Sequence, residues 1–163
     1  IASKRNPLRL LDAFVLPAGA GIALLMLGCF MNGCCVGKPA SGPFSVSFPA
    51  NQMLYTYLDT LPLLGKQTRS VYPAQLFEMA GAILGLALIW LICHKGKLPD
   101  GARAMLYAAW FTLVRLAVHP LRSFPYEKQV VAVFYPLFYC AVLLTLIVTL
   151  VILLKQTYKK GDS

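Results

Sequence analysis

Residues 13–37 read AFVLPAGAGIALLMLGCFMNGCCVG, an apolar run that gives way after Met31 to Asn32, Gly33, Cys34 and Cys35. The run up to Met31 approaches the ~20 residues that cross a hydrocarbon core at ~1.5 Å per residue, so it predicts a membrane-spanning helix. Ala18, Gly19, Ala20 and Gly21 lie near its start. Small side chains let helices approach closely where lipid gives no hydrophobic driving force, so an interior helix is expected, kinked at Pro17. At its end, Gly28-Cys29-Phe30-Met31-Asn32-Gly33-Cys34-Cys35-Val36-Gly37 crowds thiols, an amide and glycines together. A lipid-facing helix gains nothing from such residues, which makes this stretch a candidate site. The plainer alternative is a helix C-terminus with Gly33 as a left-handed cap and the cysteines as small apolar fillers.

The whole chain has membrane composition. Apolar residues make up 58% of its 163, charged residues 13%, and the mean hydropathy is +0.67, outside the usual balance of soluble domains. The expected fold is an all-α integral membrane protein with four transmembrane helices, over residues 13–31, 73–93, 101–118 and 129–154 of a single membrane domain 1–163. Residues 34–72 are expected to form an outer loop subdomain.

The net charge of +9 does not form the face or stripe that binds nucleic acid. Basic residues instead mark span ends: Lys4, Arg5 and Arg9 before the first, Lys95, Lys97 and Arg103 between the second and third, and Lys155, Lys159 and Lys160 after the fourth. An even number of spans puts these clusters on one side, which the positive-inside rule makes cytoplasmic, C-terminus included. Residues 34–72 and 119–128, with Lys38, Lys66, Arg69, Arg122 and Lys128, then lie outside. The chain opens on Ile1, so residues are expected ahead of it. No cleavable signal sequence is expected, because the basic N-terminus leads into a span-length stretch without a small-residue cleavage site. Of the five cysteines, Cys93 and Cys140 read as apolar fillers in spans, and Cys29, Cys34 and Cys35 cluster.

The outer segment holds Pro39, Pro43, Pro49 and Pro62 with Phe44, Phe48, Tyr55 and Tyr57. Ser45-Val46-Ser47-Phe48 alternates as a short strand does. The rest reads as a surface subdomain with tyrosine rings at headgroup level, or as a substrate lid.

Ionisable residues inside the spans carry the functional signal. The second span opens with Tyr72-Pro73-Ala74-Gln75-Leu76-Phe77-Glu78, where proline suits a first helical turn and Gln75 and Glu78 share a face. Gly81 and Gly85 supply a Gly-x-x-x-Gly packing face. A carboxylate one turn inside a membrane helix is expensive and needs a partner. The third span offers Arg115, whose charge cannot be shed, with His119 and Arg122 following at spacings of four and three. Pro120 is expected to break that register, and Arg122, at the outer end, also suits simple snorkelling. A buried Arg115–Glu78 pair that only holds helices together is the structural alternative. The fourth span is aliphatic after Pro136 and is expected to face lipid and do no chemistry.

Taken together these residues resemble the prolipoprotein diacylglyceryl transferase family. Its signature Gly-Arg-x-Gly-Asn-Phe-x-Asn-Gly-Glu-x-x-Gly aligns with Leu25 through Gly37, matching at Gly28, Phe30, Asn32, Gly33 and Gly37. Its His-Pro-x-Gln-Leu-Tyr-Glu motif is similar to Tyr72 through Glu78, and its Arg-x-x-x-Glu-x-x-Arg motif to Arg115, His119 and Arg122. The chain departs from the family where the first motif's arginine falls on Met26, its Asn on Cys29 and its Glu on Cys34. The His of the second motif is Tyr72 and the Glu of the third is His119. The resemblance places further spans, with a His-Gly motif, ahead of Ile1, and equates this chain with the C-terminal part of the family's fold.

The resemblance implies a membrane transferase of lipoprotein biosynthesis. It would move a diacylglyceryl or related lipid group from phosphatidylglycerol to a cysteine thiol or other acceptor at the outer leaflet of the bacterial cytoplasmic (inner) membrane. Phospholipid, the bilayer and a lipoprotein precursor are the partners so implied; no nucleic acid, cofactor or metal is expected. Arg115 would clamp phosphate with Glu78 orienting it. Asn32, Gly33 and Gln75 would bind ester or glycerol oxygens, and His119 and Arg122 would complete the substrate site, Arg122 attracting headgroups at the outer surface. Two other classes fit the residues: a non-catalytic lipid-binding membrane subunit, and a thiol or metal protein. In the latter, Cys29, Cys34 and Cys35 would join His119 around zinc or copper, or run reversible disulfide chemistry.

Overall fold

The computed structural model describes residues 6–48, 70–95, 98–124, 126 and 129–161. Helix α1 runs Pro7–Met31, beginning ahead of the expected position because the polar lead-in is itself helical. Asn6 caps it by accepting from the Leu8 N–H at 3.2 Å, and Pro7 occupies the first helical position, where its missing donor costs nothing. The helix continues through Pro17 and closes with Gly33 at φ +67°, the left-handed cap.

Two short strands follow, β1 (Val46–Ser47) and β2 (Ser70–Val71), antiparallel with Val46 opposite Val71. Within the alternating Ser45–Phe48 segment, Val46 and Ser47 are therefore strand. The remainder of the expected outer subdomain, residues 49–69 with Tyr55 and Tyr57, lies outside the described residues. Helix α2 spans Ala74–Lys95, α3 spans Ala102–Val118, and a 3-10 turn at His119–Leu121 ends α3 at Pro120. A π-helical turn, Val130–Phe134, leads into α4, Tyr135–Gly161. Among the described residues, four helices are long and apolar enough to cross a membrane: Pro7–Met31, Ala74–His94, Ala102–Leu121 and Val130–Gln156. The chain is thus a multi-pass helical membrane protein.

Helices α1, α2 and α3 pack on one another, and α4 lies chiefly against α3. The α2–α3 contact uses the expected glycine face. A Cβ on Gly81 would strike the Val114 side chain and one on Gly85 the Trp110 ring. The closeness also brings Trp110 Nε1 within 2.8 Å of the Gly81 carbonyl, which accepts its hydrogen bond. Helix α1 is less enclosed than its small residues suggested. Val15, Gly19 and Met26 are buried while Leu16, Leu24 and Leu25 point outward. Small residues decide how near a neighbour comes, not how many neighbours there are.

One polar contact organises the end of the bundle opposite the loop. Helix α3 has Gly101 at its N-cap, with no side chain to satisfy the orphan amides. Asp12 of α1 does so from a distance in sequence, accepting from the N–H groups of Gly101 at 2.8 Å and Ala104 at 2.9 Å. Its charge also meets the positive end of the α3 dipole.

Candidate lipid-headgroup site

At the loop end, three stretches far apart in sequence are stitched by main-chain hydrogen bonds. The segment after α1 lies between the residues preceding α2 and those following α3. Gly37 N–H donates to the Tyr72 carbonyl at 2.9 Å, Lys38 N–H to Leu121 at 2.7 Å, Tyr72 N–H to Lys38 at 3.1 Å and Ser123 N–H to Val36 at 3.3 Å. A Cβ at position 37 would collide with the carbonyls of both Leu121 and Tyr72, so glycine is what lets the segment enter.

Beneath this seam Glu78 is 1% exposed and accepts two charge-assisted hydrogen bonds. Arg115 Nη1 donates to Oε2 at 2.8 Å, and Arg122 Nη1 donates to Oε1 at 2.7 Å. Arg115 is the partner expected of a carboxylate sunk in a span. Arg122 is less expected. Its side chain is 13% exposed against 31% for Arg115, so it turns inward rather than snorkelling to the surface. The 3-10 turn around Pro120 is the cause, because it folds the chain back over the end of α3. One carboxylate thus serves two guanidiniums and leaves a net positive charge. Arg122 Nε is buried without a hydrogen-bond partner among the described residues, and its Cζ lies 5.5 Å from the Phe124 ring centroid.

His119 is held by the irregularity of the fourth span. In the π turn the Tyr135 N–H reaches back to the Val130 carbonyl, and Pro136 has no N–H to give. The Val131 carbonyl is left without a helical donor, and His119 Nε2 donates to it at 2.7 Å. Because a carbonyl only accepts, this bond puts a proton on Nε2, so in the neutral ring Nδ1 carries the lone pair. Nδ1 is buried and has no hydrogen-bond partner among the described residues. Phe124, Tyr135 and Tyr139 surround the ring at centroid distances of 5.1, 5.9 and 6.0 Å.

These groups border a cavity of about 750 Å³ lined by Lys38, His119, Arg122, Ser123, Tyr126 and Pro136, among others. Its charged lining residues, Lys38 and Arg122, are basic. The fourth span, unburied along its length as a lipid-facing helix would be, borders this region at its start: Val131, Ala132 and Pro136 wall the cavity and Tyr139 approaches the Arg115 guanidinium. Tyr135 and Tyr139, four apart at the start of this helix, were the sequence signal for this.

The other expected residues are spread around the seam. Gln75, 1% exposed, donates from Nε2 to the Cys34 carbonyl at 2.5 Å, while its Oε1 is buried without a partner. It ties the turn after α1 to α2. Asn32 is exposed at the C-cap of α1, and Gly33 is buried beside it. The sulfurs of Cys29, Cys34 and Cys35 lie within 4.8 Å of one another, and His119 is not part of that group. Burial foremost, then the hydrogen bond to Cys29 and the neighbouring thiols, push the Cys34 thiol from 9.0 up to about 12.

The class so defined is a multi-pass helical membrane protein with a buried carboxylate clamping two arginines beside a cavity of about 750 Å³. The prolipoprotein diacylglyceryl transferase family matches residues 1–157, nearly the whole chain, and the chain belongs to that family. A 56-residue stretch is 36% identical to the phosphatidylglycerol–prolipoprotein diacylglyceryl transferase of Mycoplasmopsis pulmonis (strain UAB CTIP). The match covers 34% of this chain and 17% of that protein's length.

Proposed function

We propose that this chain is a diacylglyceryl-transferase-like enzyme working on a phosphatidylglycerol-type lipid at the outer leaflet of the bacterial inner membrane, with its C-terminus cytoplasmic. The observation that carries this reading is the two-to-one ratio of guanidinium to carboxylate at Glu78, with Arg122 Nε free beside the cavity. An anion placed there finds an uncompensated positive charge in a site poor in water, where such a charge is most effective. Arg122 and Lys38 take the phosphate, Arg115 fixes Glu78, and Gln75 holds the turn after α1 in place through the Cys34 carbonyl.

In the transfer step the sulfur of an acceptor thiol, such as that of a lipoprotein precursor, attacks the terminal glycerol carbon of the diacylglyceryl group. A C–S bond forms as the C–O bond breaks, and the electron pair leaves on the phosphate oxygen of glycerol phosphate. His119 Nδ1, a base by tautomer, takes the thiol proton. Met26, buried in α1 where the family motif has arginine, favours one alternative, a lipid-binding subunit without turnover.

Native mass spectrometry of the detergent-purified chain, paired with transfer of labelled diacylglyceryl to a lipobox peptide, separates these readings. The enzyme reading requires a retained phosphatidylglycerol mass and transfer, both lost in Arg122→Ala and partly restored in Arg122→Lys. Retained lipid with no transfer makes the chain the lipid-binding subunit. Binding and transfer unchanged in both Arg115→Ala and Arg122→Ala sink the proposal.

A further inference from the structure

Cys29, Cys34 and Cys35 have no role in the chemistry just described, yet they are organised. The Cys34 N–H donates to the Cys29 carbonyl at 3.0 Å and the Cys34 thiol to the same oxygen at 3.6 Å. Gln75 holds the Cys34 carbonyl from the neighbouring helix. Cys35 stands at φ +59°, a left-handed conformation that non-glycine residues seldom adopt and that concentrates at functional sites. Cys35 is exposed four residues beyond the end of α1, outside the span where Cys140 serves as an apolar filler.

We propose that these three sulfurs form a trigonal thiolate site for a soft cation, Cu(I). Three sulfurs at the ~2.3 Å of a metal–thiolate bond stand ~4 Å from one another. The sulfurs here already lie within 4.8 Å, so side-chain adjustments of less than about 1 Å close the site. No histidine or carboxylate belongs to the group among the described residues. Zinc prefers four ligands, whereas an all-thiolate set selects soft ions such as Cu(I). Each sulfur that binds gives up its proton to solvent, and exposed Cys35 supplies the way in. Gln75 ties the Cys34 main chain to the helix that carries Glu78, so an ion here would stiffen the turn bordering the headgroup site. The inference stands whether or not the chain transfers lipid.

The full chain, purified in mild detergent under a non-thiol reductant and without oxygen, is titrated with Cu(I) against a coloured Cu(I) chelator. Uptake of one equivalent is expected, with three sulfur neighbours by X-ray absorption. It should be unchanged in Cys93→Ser/Cys140→Ser and at least tenfold weaker in Cys29→Ser/Cys34→Ser/Cys35→Ser. Cys35→Ser alone removes an exposed side chain that packs little, and it too should weaken uptake tenfold; circular dichroism checks that both variants fold. No uptake, equal uptake by the triple variant, a fourth nitrogen or oxygen ligand from the protein, or a disulfide within the trio in freshly extracted protein would each overturn the proposal.

Discussion

The Glu78 carboxylate divides its two oxygens between two arginines, Oε2 to Arg115 at 2.8 Å and Oε1 to Arg122 at 2.7 Å, at the point where α2 meets the turn that follows α3. Breaking one side of a buried ionic group leaves the other uncompensated, at a cost of about 3 to 5 kcal/mol. Glu78→Ala should therefore lower the thermal midpoint in detergent by on the order of 10 °C, taking ~2–4 °C per kcal/mol for a chain of this size. Arg115→Ala should cost less, because its side chain is less enclosed than the Glu78 carboxylate and because Glu78 keeps Arg122. An unchanged midpoint in Glu78→Ala would show that the triad does not hold the helices.

The glycines of the bundle should divide by what surrounds them. Gly81→Ala and Gly85→Ala drive a methyl group into Val114 and Trp110, and overpacking of this kind costs about 1–3 kcal/mol. Gly21 and Gly28 have nothing within 4 Å of a new Cβ. Alanine at either should leave stability unchanged or raise it by about 0.5–1 kcal/mol, the usual helical preference. Melting curves of the four variants check the ordering.

Asp12→Ala removes the acceptor for the Gly101 and Ala104 amides. Loss of a helix cap costs ~1 kcal/mol, so the midpoint should fall by a few degrees. Because the contact lies at the far end of the bundle, retained phospholipid measured by native mass spectrometry should not change.

Pro136→Ala restores an N–H that the Val131 carbonyl can accept, which competes with His119. The expected outcome is a shift of the His119 ¹⁵N resonances away from the Nε2-protonated tautomer, together with slower transfer to acceptor thiol. Unaltered resonances would detach His119 from the π turn.

For the Cys34 thiol, raised from 9.0 to about 12, the folded chain keeps a proton that the unfolded chain has already lost. Its contribution to stability is whole below about pH 9 and is lost as the pH climbs toward 12. In chelator-treated protein, alkylation of Cys34 at pH 8 should lag well behind that of the same residue in unfolded chain, read by mass spectrometry of the labelled peptides.

The sequence by itself determined the membrane class, the four spans, the glycine face of α2 and the prominence of Glu78 and Arg115. Each follows from a local cost: a span must be apolar along its length, and an ion within it must find a counter-ion. Spacing also assembled the three cysteines, since Cys29 ends a helical turn and Cys34 and Cys35 follow the left-handed Gly33. Only the tertiary structure decided that Arg122 returns to Glu78, that Asp12 caps α3, and that the fourth span supplies Val131, Tyr135 and Tyr139 to the site. Those contacts depend on how the chain reverses at Pro120 and on a π turn set by Pro136. Such geometry is cooperative across helices, and no window of sequence short enough to read locally contains both sides of it.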